Sequence, residues 1–195
     1  MSKYKLTKIS DICTIRRGGS PRPIKDFIVE EGGVNWLRIG DISDGAMYVT
    51  HTSQQIKKEG MSKSTLVHPG DFILSNSMSF GRPYIMATTA CIHDGWLTLQ
   101  DINLEKVDPL FLYYLLSSNK IQNTFESMAA GSGVRNLNKE IVGDVVIDLP
   151  SLDRQKYIVG VLQTWDDAIK NLDDKRALVQ LEKKYLLNKL LVDKK

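Results

Sequence analysis

From Ile158 to Leu190, apolar side chains return at alternating steps of four and three: Ile158, Leu162, Trp165, Ile169, Leu172, Val179, Leu186 and Leu190, with Arg176 and Lys183 interrupting the same register. That period of three and a half residues puts all of them on one stripe of an α-helix and conflicts with the period of two that a strand needs. Ala168, Leu187 and Leu191 widen the apolar face beyond a narrow two-stranded seam. A continuous helix from Leu152 to Val192 would extend roughly 60 Å at 1.5 Å rise per residue, more than one small domain needs to close on itself. The spacing therefore predicts a helix that reaches another chain, with a helix folded back on its own core as the alternative.

The pattern changes at Pro150, so residues 1–150 read as one globular domain and 151–195 as its helical extension. Short apolar runs at Val34–Ile39, Phe72–Leu74, Tyr84–Met86, Trp96–Leu99 and Val145–Leu149, separated by Gly, Asp, Asn and Ser, predict strands. Leu6–Ile15 reads as a short helix or turn and then a strand. Asp108-Pro109 is a helix start for Leu110–Leu116, and a second helix covers Ser117–Met128 before Gly131 and Gly133. Three polar stretches resist regular structure: Arg16–Pro23, Ser75–Pro83 behind the Pro69-Gly70-Asp71 turn, and the run around Gly131–Asn138. Trp36 and Trp96 fall in apolar strand patterns and are expected in the core. The fold class expected is an α/β (α+β) domain followed by one long C-terminal helix.

Charge narrows the partners less than its net value of +3 suggests. Residues 1–150 carry 16 Lys plus Arg and 16 Asp plus Glu, and residues 151–195 carry 10 and 7, so the domain is neutral overall. Any affinity of the domain for nucleic acid must come from placed side chains, such as the basic cluster within residues 1–28, and not from bulk charge. The chain lacks an apolar run of the roughly 20 residues that a spanning helix requires, and its start lacks the apolar core of a signal peptide, so a cytoplasmic protein is expected. Cys13 and Cys91 have no CxxC spacing and read as reduced, buried thiols.

Catalytic motifs do not assemble. The Gly18-Gly19 pair runs into two prolines instead of a cofactor loop, and no Asn/Asp-Pro-Pro-aromatic motif or GK[ST] triplet occurs. Glu182-Lys183-Lys184 lies within the heptad helix and reads as solvated charge. His51, His68 and His93 lack metal-ligand spacing, and His93-Asp94 reads as a surface turn before Gly95. None of the serines sits in a GxSxG elbow. The expectation is no enzyme activity, no metal and no cofactor for this chain.

Three stretches, in this order, carry a family resemblance: Leu6-Thr7-Lys8-Ile9-Ser10-Asp11-Ile12 leading to Arg17-Gly18; Gly70-Asp71-Phe72-Ile73-Leu74-Ser75; and Gly131 to Leu137, then Val145–Pro150 with Leu152 and Gln155. Together the chain resembles the specificity subunits of type I restriction-modification systems, in a half-length form with one target-recognition domain and one long helix. The resemblance implies a non-catalytic subunit that reads half of a bipartite site on double-stranded DNA. It also implies that the helix forms an antiparallel coiled coil with a second copy and docks type I methyltransferase subunits, with a restriction subunit as a further partner. S-adenosylmethionine would then belong to the methyltransferase alone, and no membrane is involved.

Base-edge reading uses Arg or Lys on guanine and Asn or Gln on adenine, beside phosphate contacts that only position the protein. The candidates on the three loops are Arg16, Arg17, Arg22 and Lys25; Ser75, Asn76, Ser77, Ser79 and Arg82; and Arg135, Asn136 and Asn138. Each also has a plainer role, because Ser, Asn and Gly serve ordinary turns and paired arginines often decorate a solvated edge. Two other classes stay open: a DNA-independent decoy or regulator that occupies the methyltransferase through the helix, and a small nuclease or methyltransferase, which the missing motifs disfavour.

Overall fold

The computed structural model describes residues 5–43, 45–76, 80–130 and 136–191. Eleven strands come first: β1 (Lys5–Lys8), β2 (Thr14–Arg17), β3 (Ile28–Val29), β4 (Val34–Leu37), β5 (Tyr48–Val49), β6 (Gln54–Ile56), β7 (Thr65–Val67), β8 (Phe72–Ser75), β9 (Pro83–Met86), β10 (Ala90–Ile92) and β11 (Trp96–Gln100). Helices α1 (Pro109–Ser117), α2 (Asn119–Ala130) and α3 (Lys139–Asp144) follow, then β12 (Val146–Leu149) and α4 (Leu152–Leu191).

Two five-stranded sheets, in the orders β3-β6-β4-β10-β7 and β2-β11-β8-β9-β5, share an apolar layer. Leu37, Val67, Ala90 and Ile92 come to it from the first sheet, and Val49, Ile73, Tyr84, Met86 and Trp96 from the second. Every residue of β8 and β11 is buried, which is why those stretches are continuous apolar runs and not alternating ones. Each large side chain closed off there contributes on the order of 1.5–3 kcal/mol. Most pairings are antiparallel; β4–β10 and β5–β9 are parallel.

Local chemistry fixes the joints. Gly70 has φ +94° behind Pro69, the geometry of a turn whose third residue must be left-handed, and Asp71 Oδ2 accepts the His68 N–H at 2.8 Å. Asp108 caps α1 by accepting the Phe111 N–H at 3.0 Å, with Pro109 in the first turn. The fully buried Gln155 ties three segments together: its Nε2 donates to the carbonyls of Lys106 and Pro150, both at 2.9 Å, and its Oε1 accepts the Asp108 N–H at 2.8 Å.

The first segment departs from expectation. β1 is a strand paired antiparallel with β12, in register from Lys5↔Leu149 to Lys8↔Val146, and a single 3-10 turn at Ile9–Asp11 leads into β2. Arg16 and Arg17, expected in a loop, complete β2 because β11 supplies their pairing partners Thr98 and Leu97. Helix α3 and the short strands β3, β5, β6, β7 and β10 add to the elements expected from sequence.

The chain forms two compact units, Met1–Gln155 and Lys156–Lys195. α4 is one uninterrupted helix of 40 residues, as the heptads predict. Ile158 and Leu162 of its seam are half-buried. Trp165, Ile169, Leu172, Val179, Leu186 and Leu190 are exposed, each by 43% or more. Among the described residues no helix is long and apolar enough to cross a membrane.

Candidate nucleic-acid interface

The three polar stretches singled out in the sequence converge on one turn, residues 93–95 between β10 and β11. Ser20 Oγ donates to Asp94 Oδ1 at 2.6 Å and Arg22 Nη2 to Asp94 Oδ2 at 3.1 Å. The Asp94 backbone carbonyl accepts from Arg17 Nε at 3.2 Å and from Asn76 Nδ2 at 2.9 Å. Asn76 in turn accepts the Leu137 N–H on its own carbonyl at 3.2 Å, which brings in the third stretch. The Ser20 hydrogen bond, more than the nearby Arg22 charge, holds the Asp94 carboxyl below its ordinary value of 3.8 against the opposing effect of burial.

Glycine makes this approach possible. Gly18 N–H donates to the Trp96 carbonyl at 2.8 Å and Gly19 N–H to the Ile92 carbonyl at 3.0 Å, laying the first loop directly on the turn. A Cβ on Gly18 would stand 2.1 Å from the His93 carbonyl oxygen, so no other residue fits without moving backbone. His93 itself is half-buried; its Nδ1 accepts the Gly95 N–H at 2.7 Å, and burial lowers its pKa despite the neighbouring Asp94.

The remaining candidates divide. Arg16 and Arg17 are exposed and line a shallow depression with Asn138 and Lys139, although the Asn138 side chain also caps α3 by accepting the Ile141 N–H at 2.8 Å. Lys25 and Arg22 are exposed on the rim of a larger open groove. Arg82 is half-buried with its guanidinium 5.7 Å from the Tyr84 ring centre. Ser75 is fully buried at the end of β8 and Asn76 is 2% exposed, so both sit behind the surface they help to shape. Asn136 is half-buried. Ser77, Ser79 and Arg135 lie outside the described residues.

The larger groove is also lined by residues that the sequence reading did not single out as contacts. Trp36 forms part of its lining and Gln54 and Arg38 stand beside it. The available signal was Arg38-Ile39-Gly40-Asp41, an Arg and an Asp at a three-residue spacing beside a strand, which reads as an ordinary turn until its surroundings are known.

This arrangement offers guanidinium forks, amides and hydroxyls held in place by hydrogen bonds. Such groups can recognise a partner's edges and phosphates. The cysteines add no reactive thiolate: burial pushes the Cys13 thiol up to about 12 and raises that of Cys91 as well. Among the described residues no group of three or more His, Cys, Asp or Glu could hold a metal ion.

Known proteins share this architecture. A chain solved in work on complex assembly and conformational transition of the type I R-M system superposes with a TM-score of 0.73 at 20% identity, over 94% of this chain and 43% of that one. The HsdS subunit from Thermoanaerobacter tengcongensis gives 0.69 at 22% identity, over 97% and 44%. Both likenesses establish the fold. By sequence, the MjaVIII type I restriction enzyme specificity subunit of Methanocaldococcus jannaschii is 24% identical over 190 residues, which span 96% of this chain and 41% of that subunit. A chain from the same organism, named for the MjaX specificity subunit, is 27% identical over 201 residues, 96% of this chain and 45% of the other. The chain thus spans less than half the length of these relatives. Residues 1–181 match the family described as type I restriction modification DNA specificity domain. On that match, with the fold and the motifs in agreement, the chain belongs to the type I restriction modification DNA specificity domain family.

Proposed function

We propose that this chain is a non-catalytic specificity subunit of a type I restriction-modification complex, in which Met1–Gln155 reads one half of a bipartite site on double-stranded DNA. The observation that carries the reading is the convergence of three polar stretches on Asp94, which fixes Arg17, Arg22 and Asn76 in one neighbourhood of a domain whose family is defined by DNA specificity. Of the loop candidates, Arg16, Arg17, Arg22 and Lys25 have the exposure that direct contact requires, whereas Ser75 and Asn76 act by shaping the loop behind them.

The exposed seam of α4 supports pairing with a second copy, the two helices antiparallel, so that a dimer presents two recognition domains. The same helices would dock adenine methyltransferase subunits, which bring S-adenosylmethionine, and a restriction subunit; the complex would work in the cytoplasm. The match of residues 1–181 to a family described by DNA specificity favours this reading over a DNA-independent decoy.

Mapping of adenine methylation in cells that express the chain with a type I methyltransferase tests it. An interrupted palindrome, two identical half-sites at a fixed spacing, is the expected motif. An asymmetric split motif would count against the homodimer, and methylation independent of this chain would count against the specificity role.

A further inference from the structure

Arg38 follows β4 and lines the same groove as Arg22 and Lys25. It is held there by a relay. Its Nη2 donates to Ser53 Oγ at 2.8 Å, and Ser53 Oγ donates to Asp41 Oδ1 at 2.5 Å. Asp41 is itself anchored: its Oδ2 accepts the backbone N–H of Arg38 at 2.8 Å, and its side chain is only 2% exposed. Nη2 lies 3.7 Å from the carboxylate, so the pair adds direct attraction to the relay.

The contact secures one corner of the guanidinium. Nη1 and Nε have no hydrogen-bond partner among the described residues, and the Arg38 side chain is 46% exposed. A guanidinium fixed at one nitrogen and open at the others is prepared for a planar acceptor pair, because part of the ordering that binding requires is already complete. Gln54 stands next to it. It pairs in register with Trp36 across β6 and β4, so the two side chains share a face, and that face lines the groove.

Guanine presents two acceptors to an arginine fork in the major groove, and adenine presents a donor and an acceptor to a glutamine amide. We propose that Arg38 and Gln54 are specificity-determining residues of this domain, reading base edges from the groove that Arg22 also lines, with Asp41 and Ser53 as positioning residues for Arg38. The inference rests on the reading of the domain as a DNA-sequence reader and adds to it a second recognition surface, carried by β4, β6 and the turns that flank them.

Selection of bound duplexes from a randomised library, by the full chain alone and together with co-expressed methyltransferase subunits, decides both questions. Arg38→Lys keeps the charge and loses the fork. It is expected to cut the preference for guanine at one position on the order of 10-fold, with preferences elsewhere and the salt dependence of binding unchanged. Gln54→Ala should relax a different position, and Ser53→Ala should weaken the same guanine preference as Arg38→Lys without removing it. Unfolding midpoints of the variants serve as the check on folding, and Ser53→Ala keeps the test alive if either of the others is destabilised. A wild-type chain that selects no sequence overturns the DNA-reading role itself. A wild-type chain that selects a motif, with Arg38→Lys either preserving every preference or weakening all sequences equally, overturns this inference alone.

Discussion

Gln155 Oε1 accepts the backbone N–H of Asp108 at 2.8 Å, from a side chain with no solvent exposure. The same amide donates to the carbonyls of Lys106 and Pro150. Gln155→Ala removes the partner of all three backbone groups; the bond to Pro150 is buried and the other two are part-buried, and a buried polar group left unpaired costs about 1–3 kcal/mol. A loss of about 1–3 kcal/mol is expected in urea denaturation.

Asp94→Asn separates recognition from stability. Arg22 and Asp94 are 78% and 44% exposed, so their ion pair adds well under about 1 kcal/mol once solvent screening is counted. The folded state should lose only on the order of 1 kcal/mol, chiefly from the weakened Ser20 hydrogen bond to the carboxylate. Fluorescence anisotropy with a cognate duplex should instead show binding weakened several-fold, because Arg22 loses its orientation. Unaltered affinity would mean that Arg22 does not act at the interface.

Gly18→Ala introduces a methyl group whose carbon would sit 2.1 Å from the His93 carbonyl oxygen, a contact that backbone must relieve. Overpacking of this kind costs about 1–3 kcal/mol. Thermal unfolding should report that loss, and amide exchange should accelerate at Gly18 and Gly19, whose N–H groups donate to Trp96 and Ile92.

On α4, Leu172 is 66% exposed within a single chain, so Leu172→Asp leaves the folded domain intact. In a paired helix the same carboxylate would be buried without compensation. Light scattering should show the mass of the wild type fall by half in the variant. An unchanged mass would exclude the seam as the pairing surface.

Acid should weaken the domain through His93. Burial holds its pKa in the folded state below the ordinary 6.5, and Nδ1 accepts the Gly95 N–H as a neutral ring must. As pH falls through 6.5, the unfolded chain takes up a proton that the folded chain refuses, so stability drops until the buried ring itself protonates. Asp94 acts in the same direction at lower pH: its contribution is present above 3.8 and is lost as pH falls through its depressed folded value. His93→Gln should flatten the dependence measured between about pH 7 and pH 5.5.

What the sequence revealed follows from the range of the interactions involved. The heptads of α4, the Pro69-Gly70-Asp71 turn and the cap at Asp108 are local, and each was legible from spacing and residue type. Trp36 and Trp96 were legible as core from the apolar runs around them. The placement of Arg16 and Arg17 was not, because the partner that makes them a strand lies in β11, about half a domain away along the chain. Asp94 reads as a turn residue for the same reason: its partner Arg22 is 72 positions distant. Ser75 is polar by composition, yet it is buried because it ends a central strand. Arg38 differs again. Its relay to Asp41 and Ser53 is short-range, and only the groove it faces gives that relay a meaning.

The pairing of β1 with β12 fixes where the chain enters and leaves the domain. Four paired positions, Lys5 to Lys8 against Leu149 to Val146, hold the incoming and outgoing strands side by side. The strands and turns that carry Arg17, Arg38, Gln54 and Asp94 all lie between those two strands in the sequence. The chain therefore enters and leaves the part of the domain that holds both sheets at one place, where a single short ladder closes residues 9–145 into a loop of the fold.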